Sequence, residues 1–229
     1  MIVDLHSHTQ MARCGRDWPT RLCDRMVEAG VDVLGITDHH YGIEDFGYEA
    51  YRSMIAHLRE EYRGVLTILY GIEVCTRPNH RLTRTDLSEY DYCLVEDLDG
   101  AESVMGGDIL GYTASFGCPV GIAHTDLFGF AASRGYDPKE YFRALAERGV
   151  FWEMNVNRDS THAFHEHAYV KEFLASKEQQ EIVRASGLCL SVGFDGHVSA
   201  EYDVERVRSM NAFLELVGIP NAYPTLIGR

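Results

Sequence analysis

The sequence predicts an α/β fold, namely a distorted (β/α)7 barrel of parallel strands with helices outside, in one domain spanning residues 1–229. Three observations favour this fold: short apolar runs of strand length, amphipathic helical segments between them, and histidine or acidic residues after nearly every run. A chain of 229 residues with 45% hydrophobic residues can form one such core. An open, doubly wound sheet is the alternative arrangement of the same alternating elements.

Seven apolar runs have strand length and are rich in β-branched or aromatic residues. They are Ile2–Leu5, Val33–Ile36, Leu66–Tyr70, Tyr92–Val95, Val120–Ala123, Val150–Met154 and Leu188–Val192. Seven runs favour a small or distorted barrel over a complete eight-stranded one.

Apolar residues between these runs recur at helical spacing, as in an amphipathic helix with one face on a core. Helices are predicted around Leu22–Ala29, Tyr51–Leu58, Tyr141–Arg148, His167–Ser186 and Val204–Val217. Strands that alternate with helices in this way are expected to be parallel, with the helices packed outside them.

The charge and cysteine content narrow the possible partners and location. A formal net charge of −14 disfavours stable binding to nucleic acid or to an anionic membrane. A small phosphorylated substrate stays compatible, because bound cations reverse the local field. The six cysteines form no C-x-x-C pair and are interpreted as reduced thiols of a cytoplasmic protein. We expect neither a signal peptide nor a membrane span, and the oligomeric state is left open.

Histidine and acidic residues follow the ends of the apolar runs. They are His6 and His8 after the first run, Asp38 and His39 after the second, Glu73 after the third, Glu96 and Asp97 after the fourth, His124 after the fifth, and Asp195 and His197 after the seventh. In parallel barrels the loops at the carboxyl ends of the strands converge on one mouth. These side chains are therefore predicted to meet there and bind metal ions, whereas a scatter of surface histidines does not explain their positions.

Two short motifs strengthen the prediction of a metal site. His6 and His8 form an H-x-H pair, and residues two apart on a strand point to the same side. Asp195-Gly196-His197 has the same spacing, with a glycine that leaves room for a ligand. Each motif alone is weak evidence, but the two together with the single residues between them indicate a multinuclear metal centre.

In these motifs the sequence resembles the polymerase and histidinol phosphatase superfamily, the PHP domains. The resemblance rests on Asp4-Leu5-His6-Ser7-His8-Thr9, Ile36-Thr37-Asp38-His39, Gly71-Ile72-Glu73, Ile122-Ala123-His124 and Gly193-Phe194-Asp195-Gly196-His197. The motifs occur in the family's order and span almost the whole chain. The resemblance implies a distorted seven-stranded α/β barrel and a trinuclear metal centre that usually hydrolyses phosphoesters.

The resemblance also implies which residues share each ion. Carried over by position, His6, His8, Glu73 and Asp195 hold one metal, Glu73 bridges to a second that His124 also binds, and His39 and His197 hold the third. Imidazole and carboxylate ligands suit Zn²⁺, Mn²⁺ or Fe²⁺, so two or three divalent ions of these elements are the expected cofactors.

Two positions depart from the commoner family pattern. The family often has a histidine in the loop after the first strand, where this chain has Cys14 or Asp17, and another near Asp97 after the fourth strand. We predict Asp97 as a carboxylate ligand and Cys14 as a thiolate ligand, with an inert thiol as the alternative for Cys14. His80, seven residues after Glu73, could contact a metal or the substrate, or be a solvated loop histidine.

Three arginines are candidate ligands for a phosphate group, because guanidinium binds phosphate oxygens bidentately. They are Arg13, Arg16 and Arg158, and Arg158 is favoured since it follows the sixth strand. Ordinary surface arginines are the alternative interpretation. His162, His165 and His167, also after the sixth strand, are compatible with a proton donor or with a helix N-terminus.

The expected function is metal-dependent hydrolysis of a small phosphoester, with a phosphomonoester favoured. Adjacent divalent ions at a di- or trinuclear centre would make hydroxide available near neutral pH. Glu73, Asp195 and Arg158 are the predicted catalytic residues. One alternative is an amidohydrolase-like C–N hydrolase, although no lysine follows any strand as that family's metal-bridging lysine would. The other is a degenerate PHP domain that binds metal without catalysis.

Overall fold

The computed structural model describes residues 1–227 and shows seven parallel strands in a nearly closed barrel surrounded by helices. The strands are β1 (Val3–Asp4), β2 (Val33–Ile36), β3 (Thr67–Val74), β4 (Tyr92–Val95), β5 (Val120–Ile122), β6 (Val150–Asn155) and β7 (Leu190–Gly193). Neighbouring strands pair in chain order, and every ladder is parallel. This order confirms the predicted α/β barrel and excludes a doubly wound sheet, whose strand order reverses partway.

Ten α-helices lie among the described residues, and most follow a strand. They are α1 (Pro19–Ala29), α2 (His40–Phe46), α3 (Tyr48–Glu61), α4 (Ile109–Tyr112), α5 (Leu127–Ser133), α6 (Pro138–Glu147), α7 (Ala168–Ala175), α8 (Lys177–Ser186), α9 (Val204–Val217) and α10 (Tyr223–Ile227). Three 3₁₀ helices are also present, Gln10–Ala12, Pro78–His80 and Ser199–Glu201. No helix in residues 1–227 is long and apolar enough to cross a membrane.

Two departures from the sequence prediction have a clear structural cause. The helical stretch from His167 to Ser186 is broken into α7 and α8, because Ser176 is extended and its hydroxyl accepts the Gln179 N–H at 3.2 Å. Strand β3 continues to Val74, so Glu73 lies inside the strand rather than after it. The predicted apolar run ends at Tyr70, but pairing with β4 keeps the chain extended as far as Val74.

The first and last strands are joined at the seam of the barrel. The backbone N–H of Leu5 donates to the carbonyl of Val192 at 2.8 Å. The buried Asp4 carboxylate accepts the backbone N–H groups of His6 at 3.1 Å and Phe194 at 3.0 Å. These contacts bring together two motifs near opposite ends of the chain.

A small apolar cluster fills the barrel, separate from the larger one between strands and helices. Its buried members are Val3, Leu5, Val33, Leu69, Tyr92, Leu94, Ala123, Phe151, Ala222 and Leu226. The Tyr92 hydroxyl donates to the carbonyl of Leu5 at 2.6 Å, across the interior. Gly35 leaves the space for that ring, since a Cβ there would overlap the Tyr92 hydroxyl oxygen.

Gly35→Ala should lower the free energy of unfolding by about 1–3 kcal/mol, because the added Cβ crowds the Tyr92 hydroxyl and lies 3.0 Å from Leu5 Cα. Tyr92→Phe alone should cost roughly 1 kcal/mol through the lost hydrogen bond. In the double variant the overlapping oxygen is absent, so the combined loss should be smaller than the sum. Urea unfolding of the three variants checks this, and strictly additive losses would contradict the proposed contact.

Candidate metal centre

A small polar cavity lies at the carboxyl ends of the strands. Its volume is about 170 Å³, and its lining residues are His8, His39, Glu73, Glu96, His124, His162, His167, Asp195 and His197. Every one of the seven strands contributes at least one of them from its end or following loop. Larger grooves exist elsewhere, including one of about 600 Å³ between α7 and α9, but metal-ligating side chains converge on this small cavity.

Glu73 occupies the centre of the cavity and faces four imidazoles. Its Oε1 lies 3.3 Å from Nε2 of His6 and 3.3 Å from Nε2 of His124. Its Oε2 lies 3.2 Å from Nε2 of His8 and 3.0 Å from Nδ1 of His39. One buried carboxylate therefore touches ligand-type side chains that follow three other strands.

Asp195 lies on the other side of the H-x-H pair. Its Oδ1 is 3.1 Å from Nε2 of His8 and 3.5 Å from Nε2 of His6, and those two nitrogens are 3.0 Å apart. Its Oδ2 accepts from the side-chain amide of Asn155 at 3.2 Å. His197 directs Nδ1 to the Asp195 carbonyl at 2.9 Å, which leaves its Nε2 available. The structure thus brings both predicted motifs to one point.

After the fourth strand the structure brings Glu96, rather than Asp97, into the cavity. Glu96 is 9% exposed, with its carboxylate 3.7 Å from Nδ1 of His39 and 3.9 Å from Nε2 of His124. The Asp97 carboxylate instead accepts from Arg77 Nε at 2.9 Å, outside the cavity. Successive side chains of an extended segment point in opposite directions, so a shift of one residue changes the inward side chain.

Cys14 lies beside the histidines at the edge of the cavity. Its thiol contacts His8, His39 and His197, and its sulfur lies within 4.8 Å of ligand nitrogens of His8 and His197. Burial raises the pKa of this thiol, but the neighbouring imidazoles outweigh burial and lower the pKa to about 4. A thiolate beside three imidazoles is compatible with a metal ligand.

Asp38 fixes the loop that carries these residues. Its carboxylate accepts the backbone N–H and the hydroxyl of Thr9, both at 2.6 Å, and the hydroxyl of Tyr51 at 3.0 Å. Asp38 therefore holds the chain next to His8 instead of holding an imidazole directly.

Glu153, which is not among the site residues predicted from the sequence, supports two candidate metal ligands. Fully buried in β6, its carboxylate accepts Nδ1–H of His6 at 2.7 Å and the backbone N–H of His124 at 2.8 Å. A Cβ at Gly193 would overlap its Oε1, so the glycine permits this approach. Because Nδ1 of His6 is the donor, Nε2 presents its lone pair to the cavity. The only sequence signal is an acidic residue inside an apolar strand run.

Asp159 is a second missed residue that supports the site. Its carboxylate accepts the backbone N–H of His197 at 3.0 Å and pairs with Nδ1 of His162 at 2.9 Å. This places Nε2 of His162 3.5 Å from Oδ2 of Asp195, on the cavity wall. Of the three histidines after β6, His162 and His167 line the cavity, and His165 is exposed. His167 also directly precedes α7, which begins at Ala168.

The three arginines do not line the cavity. Arg13 forms an ion pair with Asp45. Arg16 is exposed, and its backbone N–H donates to the carbonyl of His197 at 2.8 Å. Arg158 is exposed as well, and within residues 1–227 its side chain forms no hydrogen bond or ion pair. Arg16 thus contacts the cavity residue His197 through its backbone, Arg158 directly precedes Asp159 in the chain, and Arg13 is held away.

His80 reaches the site only through another ring. It packs on Tyr41 with ring centroids 4.3 Å apart, and Tyr41 stacks on His39 at 4.8 Å. The His80 carbonyl accepts Nε2–H of the buried His40 at 2.8 Å. His80 therefore belongs to the rim, and it lies outside the set of side chains that face Glu73.

The electrostatics of the cavity fit bound cations. Burial lowers the pKa values of His39 and His124, but Glu73 together with other neighbouring groups outweighs burial and raises these pKa values to about 10 and about 9. Burial raises the pKa of Glu73, yet His6 and His39 hold that pKa well below its usual range. A buried carboxylate among imidazoles needs positive charge nearby, from protons or from metal ions.

Two buried nitrogens support metal ions over protons. Within residues 1–227, Nδ1 of His8 and Nδ1 of His39 have no hydrogen-bond partner. His39 Nδ1 lies 3.0 Å from Glu73 yet is not aligned for a hydrogen bond, as expected of two ligands that share one ion. The imidazole and carboxylate donors suit divalent transition metals.

Comparison with solved structures supports the fold. Histidinol phosphate phosphatase (HISK) from Lactococcus lactis subsp. lactis Il1403, determined with zinc, L-histidinol and phosphate, has a TM-score of 0.64 and 16% identity, over 96% of this chain and 94% of its own. The putative histidinol phosphatase hisK from Listeria monocytogenes has a TM-score of 0.50 and 13% identity, over 86% of this chain and 96% of its own. No curated protein sequence matches.

The match to a family model is more specific than the shared fold. The model described as PHP domain matches residues 4–210, which include nearly all of the barrel and every residue that lines the cavity. The family expected from the histidine and acidic motifs is thereby confirmed. The chain belongs to the PHP domain family.

Proposed function

We propose that this chain is a metal-dependent phosphomonoesterase with a di- or trinuclear centre at the barrel mouth. Family membership and the buried donor groups support the broader activity, a metal-dependent hydrolase of phosphoesters. The observation that carries the proposal is the position of Glu73, a single carboxylate that faces four imidazoles. A carboxylate with both oxygens shared in this way is suited to bridge two cations.

The donor groups suggest three neighbouring metal positions. We assign His6, His8 and Asp195 with Glu73 to the first, and Glu73 with Glu96 and His124 to the second. Cys14, with His39 and His197 that contact its thiol, is assigned to the third. This set differs from the one expected from sequence only in that Glu96 replaces Asp97. Zinc, manganese and iron all remain candidates, since imidazole and carboxylate donors accept each of them.

Bound ions and protein groups would have different roles in the hydrolysis. Divalent ions at such a centre lower the pKa of water and neutralise charge on phosphoryl oxygens. Glu73 and Asp195 would hold the ions, because both carboxylates are buried and face the imidazoles of the site. His162, held by Asp159 and directed at the cavity, is positioned to give a proton to the leaving alcohol.

Two observations favour a phosphomonoester. The cavity of about 170 Å³ is small enough to be matched to a phosphoryl group. The Lactococcus lactis structure holds an alcohol and phosphate, which are the two products expected of phosphomonoester hydrolysis. Arg158 is the proposed contact for the phosphoryl oxygens from the rim, with Arg16 as a second candidate.

Protein purified without chelator should carry two or three divalent ions per chain by elemental analysis. Glu73→Gln should lose at least one ion and most of kcat/KM, since an amide has no charge with which to bridge two cations. Glu147→Gln on the exposed face of α6 is the matched control and should keep both. Less than one ion per chain, even after reconstitution with Mn²⁺, Fe²⁺ or Zn²⁺, would contradict the metal centre.

Arg158→Ala should reduce kcat/KM for release of phosphate from a small phosphomonoester by roughly ten- to a hundred-fold, with metal content unchanged. His124→Ala should reduce metal content and activity together, which separates a substrate contact from a ligand. Arg148→Ala, an exposed arginine at the end of α6, controls for loss of surface charge.

The substrate panel for these variants also tests the alternatives. Cleavage of phosphodiesters alone would keep the reaction class and reject the monoester. Hydrolysis of amides alone would favour a C–N hydrolase, and a metal-loaded protein without turnover would favour a degenerate domain.

Glu153→Gln and Gly193→Ala should each weaken metal retention by about ten- to a hundred-fold, because both disturb the carboxylate that orients His6. The first removes its charge. The second displaces it and also crowds His6 Cβ, which lies 2.5 Å from the added atom, so both changes disturb the orientation of His6. Competition with a chelator measures the effect. If both variants retain metal as well as the wild type does, Glu153 does not support the metal centre.

A further inference from the structure

We propose that the two ends of the metal centre have different ligand chemistry and hold different metals. The end formed by Cys14, His39 and His197 beside His8, here called the thiolate end, would take zinc. The end formed by Glu73, Glu96 and His124, here called the carboxylate end, would take a harder divalent cation such as Mn²⁺. This inference rests on the metal-binding part of the proposed function and concerns which metal each end selects.

The thiolate end combines one sulfur with several imidazoles. The sulfur of Cys14 lies within 4.8 Å of ligand nitrogens of both His8 and His197, and the thiol also contacts His39. His8 is 2% exposed, and its Nδ1 has no partner within residues 1–227. The unpartnered nitrogen belongs to a buried ring that contacts the thiol, so it is a second observation that points to a ligand here. One thiolate with imidazoles is a donor set that suits tetrahedral zinc.

The carboxylate end has the opposite character. Glu73, Glu96 and His124 offer ligand atoms that lie within 4.8 Å of one another. Two carboxylates and one imidazole make a harder donor set, of the kind that suits Mn²⁺ better than a thiolate site does. Glu96 reaches this end because the extended segment after β4 turns its side chain inward.

A second cysteine makes a sharp control possible. Cys75 is buried and its thiol contacts Glu96, at the carboxylate end. The inference assigns metal–sulfur bonding to Cys14 and not to Cys75. Substituting each cysteine separately therefore distinguishes a ligand from a thiol that is merely close to the centre.

Cobalt substitution reports the metal–sulfur bond directly. The full chain, stripped with chelator and reloaded with Co²⁺, should show a near-ultraviolet sulfur-to-cobalt charge-transfer band. Cys14→Ser should abolish that band, whereas Cys75→Ser should retain it. Cys14→His, which supplies an imidazole instead, should bind cobalt without the band and guards against loss through misfolding. A band that persists in Cys14→Ser, disappears in Cys75→Ser, or is absent from cobalt-loaded wild type would overturn the inference.

Competition between metals tests the division into two ends. Because Zn²⁺ binds most sites more tightly than Mn²⁺, stripped protein should be given one equivalent of Zn²⁺ per chain and a large excess of Mn²⁺. Analysis of the bound elements should then find both metals. Cys14→Ser should lower zinc retention by at least about tenfold and keep manganese, whereas Glu96→Gln should do the reverse. Equal loss of both metals from both variants, or binding of a single element throughout, would contradict the division.

The outcomes separate this inference from the proposed function. A centre that divides the two metals as described but hydrolyses no phosphoester would contradict the function alone. An active phosphatase without the cobalt–sulfur band would contradict the inference alone.

Discussion

The buried charge of Glu73 is the constraint on which the rest of the site depends. A carboxylate removed from water needs positive charge nearby, and this one is surrounded by His6, His8, His39 and His124. Parallel strands closed into a barrel supply that arrangement, because their carboxyl ends all face one mouth. The seam between β1 and β7, tied by the buried Asp4, completes the ring and brings Asp195 beside the H-x-H pair.

Hydrogen bonds from neighbouring residues hold the metal-ligating side chains in position. Glu153 holds one imidazole and one backbone N–H of the site, and Asp159 holds His162 and the backbone of His197. The backbone is also strained at the site, since His124 has φ 26° and Asp195 has φ 55°. Such conformations cost non-glycine residues about 1–3 kcal/mol each and tend to occur at functional sites, where the surrounding structure enforces them.

Sequence patterns predicted the fold and the site where the spacing of apolar residues and the positions of polar residues were distinctive. Seven apolar runs predicted the barrel, and polar residues at their ends predicted which side chains converge, because strand ends in this fold share one mouth. The pattern could not choose between Glu96 and Asp97, since that choice depends on the direction of one extended residue. Glu153 lay hidden in an apolar run, and short helices such as α4 and α10 offer too few turns to show periodicity. Spacing in the sequence does not show how far a side chain extends. The arginines could therefore be proposed as phosphate ligands, but their positions relative to the cavity could not be predicted.

The central claim is that Glu73 bridges metal ions in a multinuclear centre. Anomalous X-ray diffraction from crystals grown without chelator, collected at the zinc, manganese and iron edges, tests it most directly. The account predicts at least two anomalous peaks in the cavity, about 3.5–4 Å apart, with the Glu73 carboxylate between them. A cavity without peaks in fully metal-supplemented crystals, or a single ion that does not touch Glu73, would contradict it.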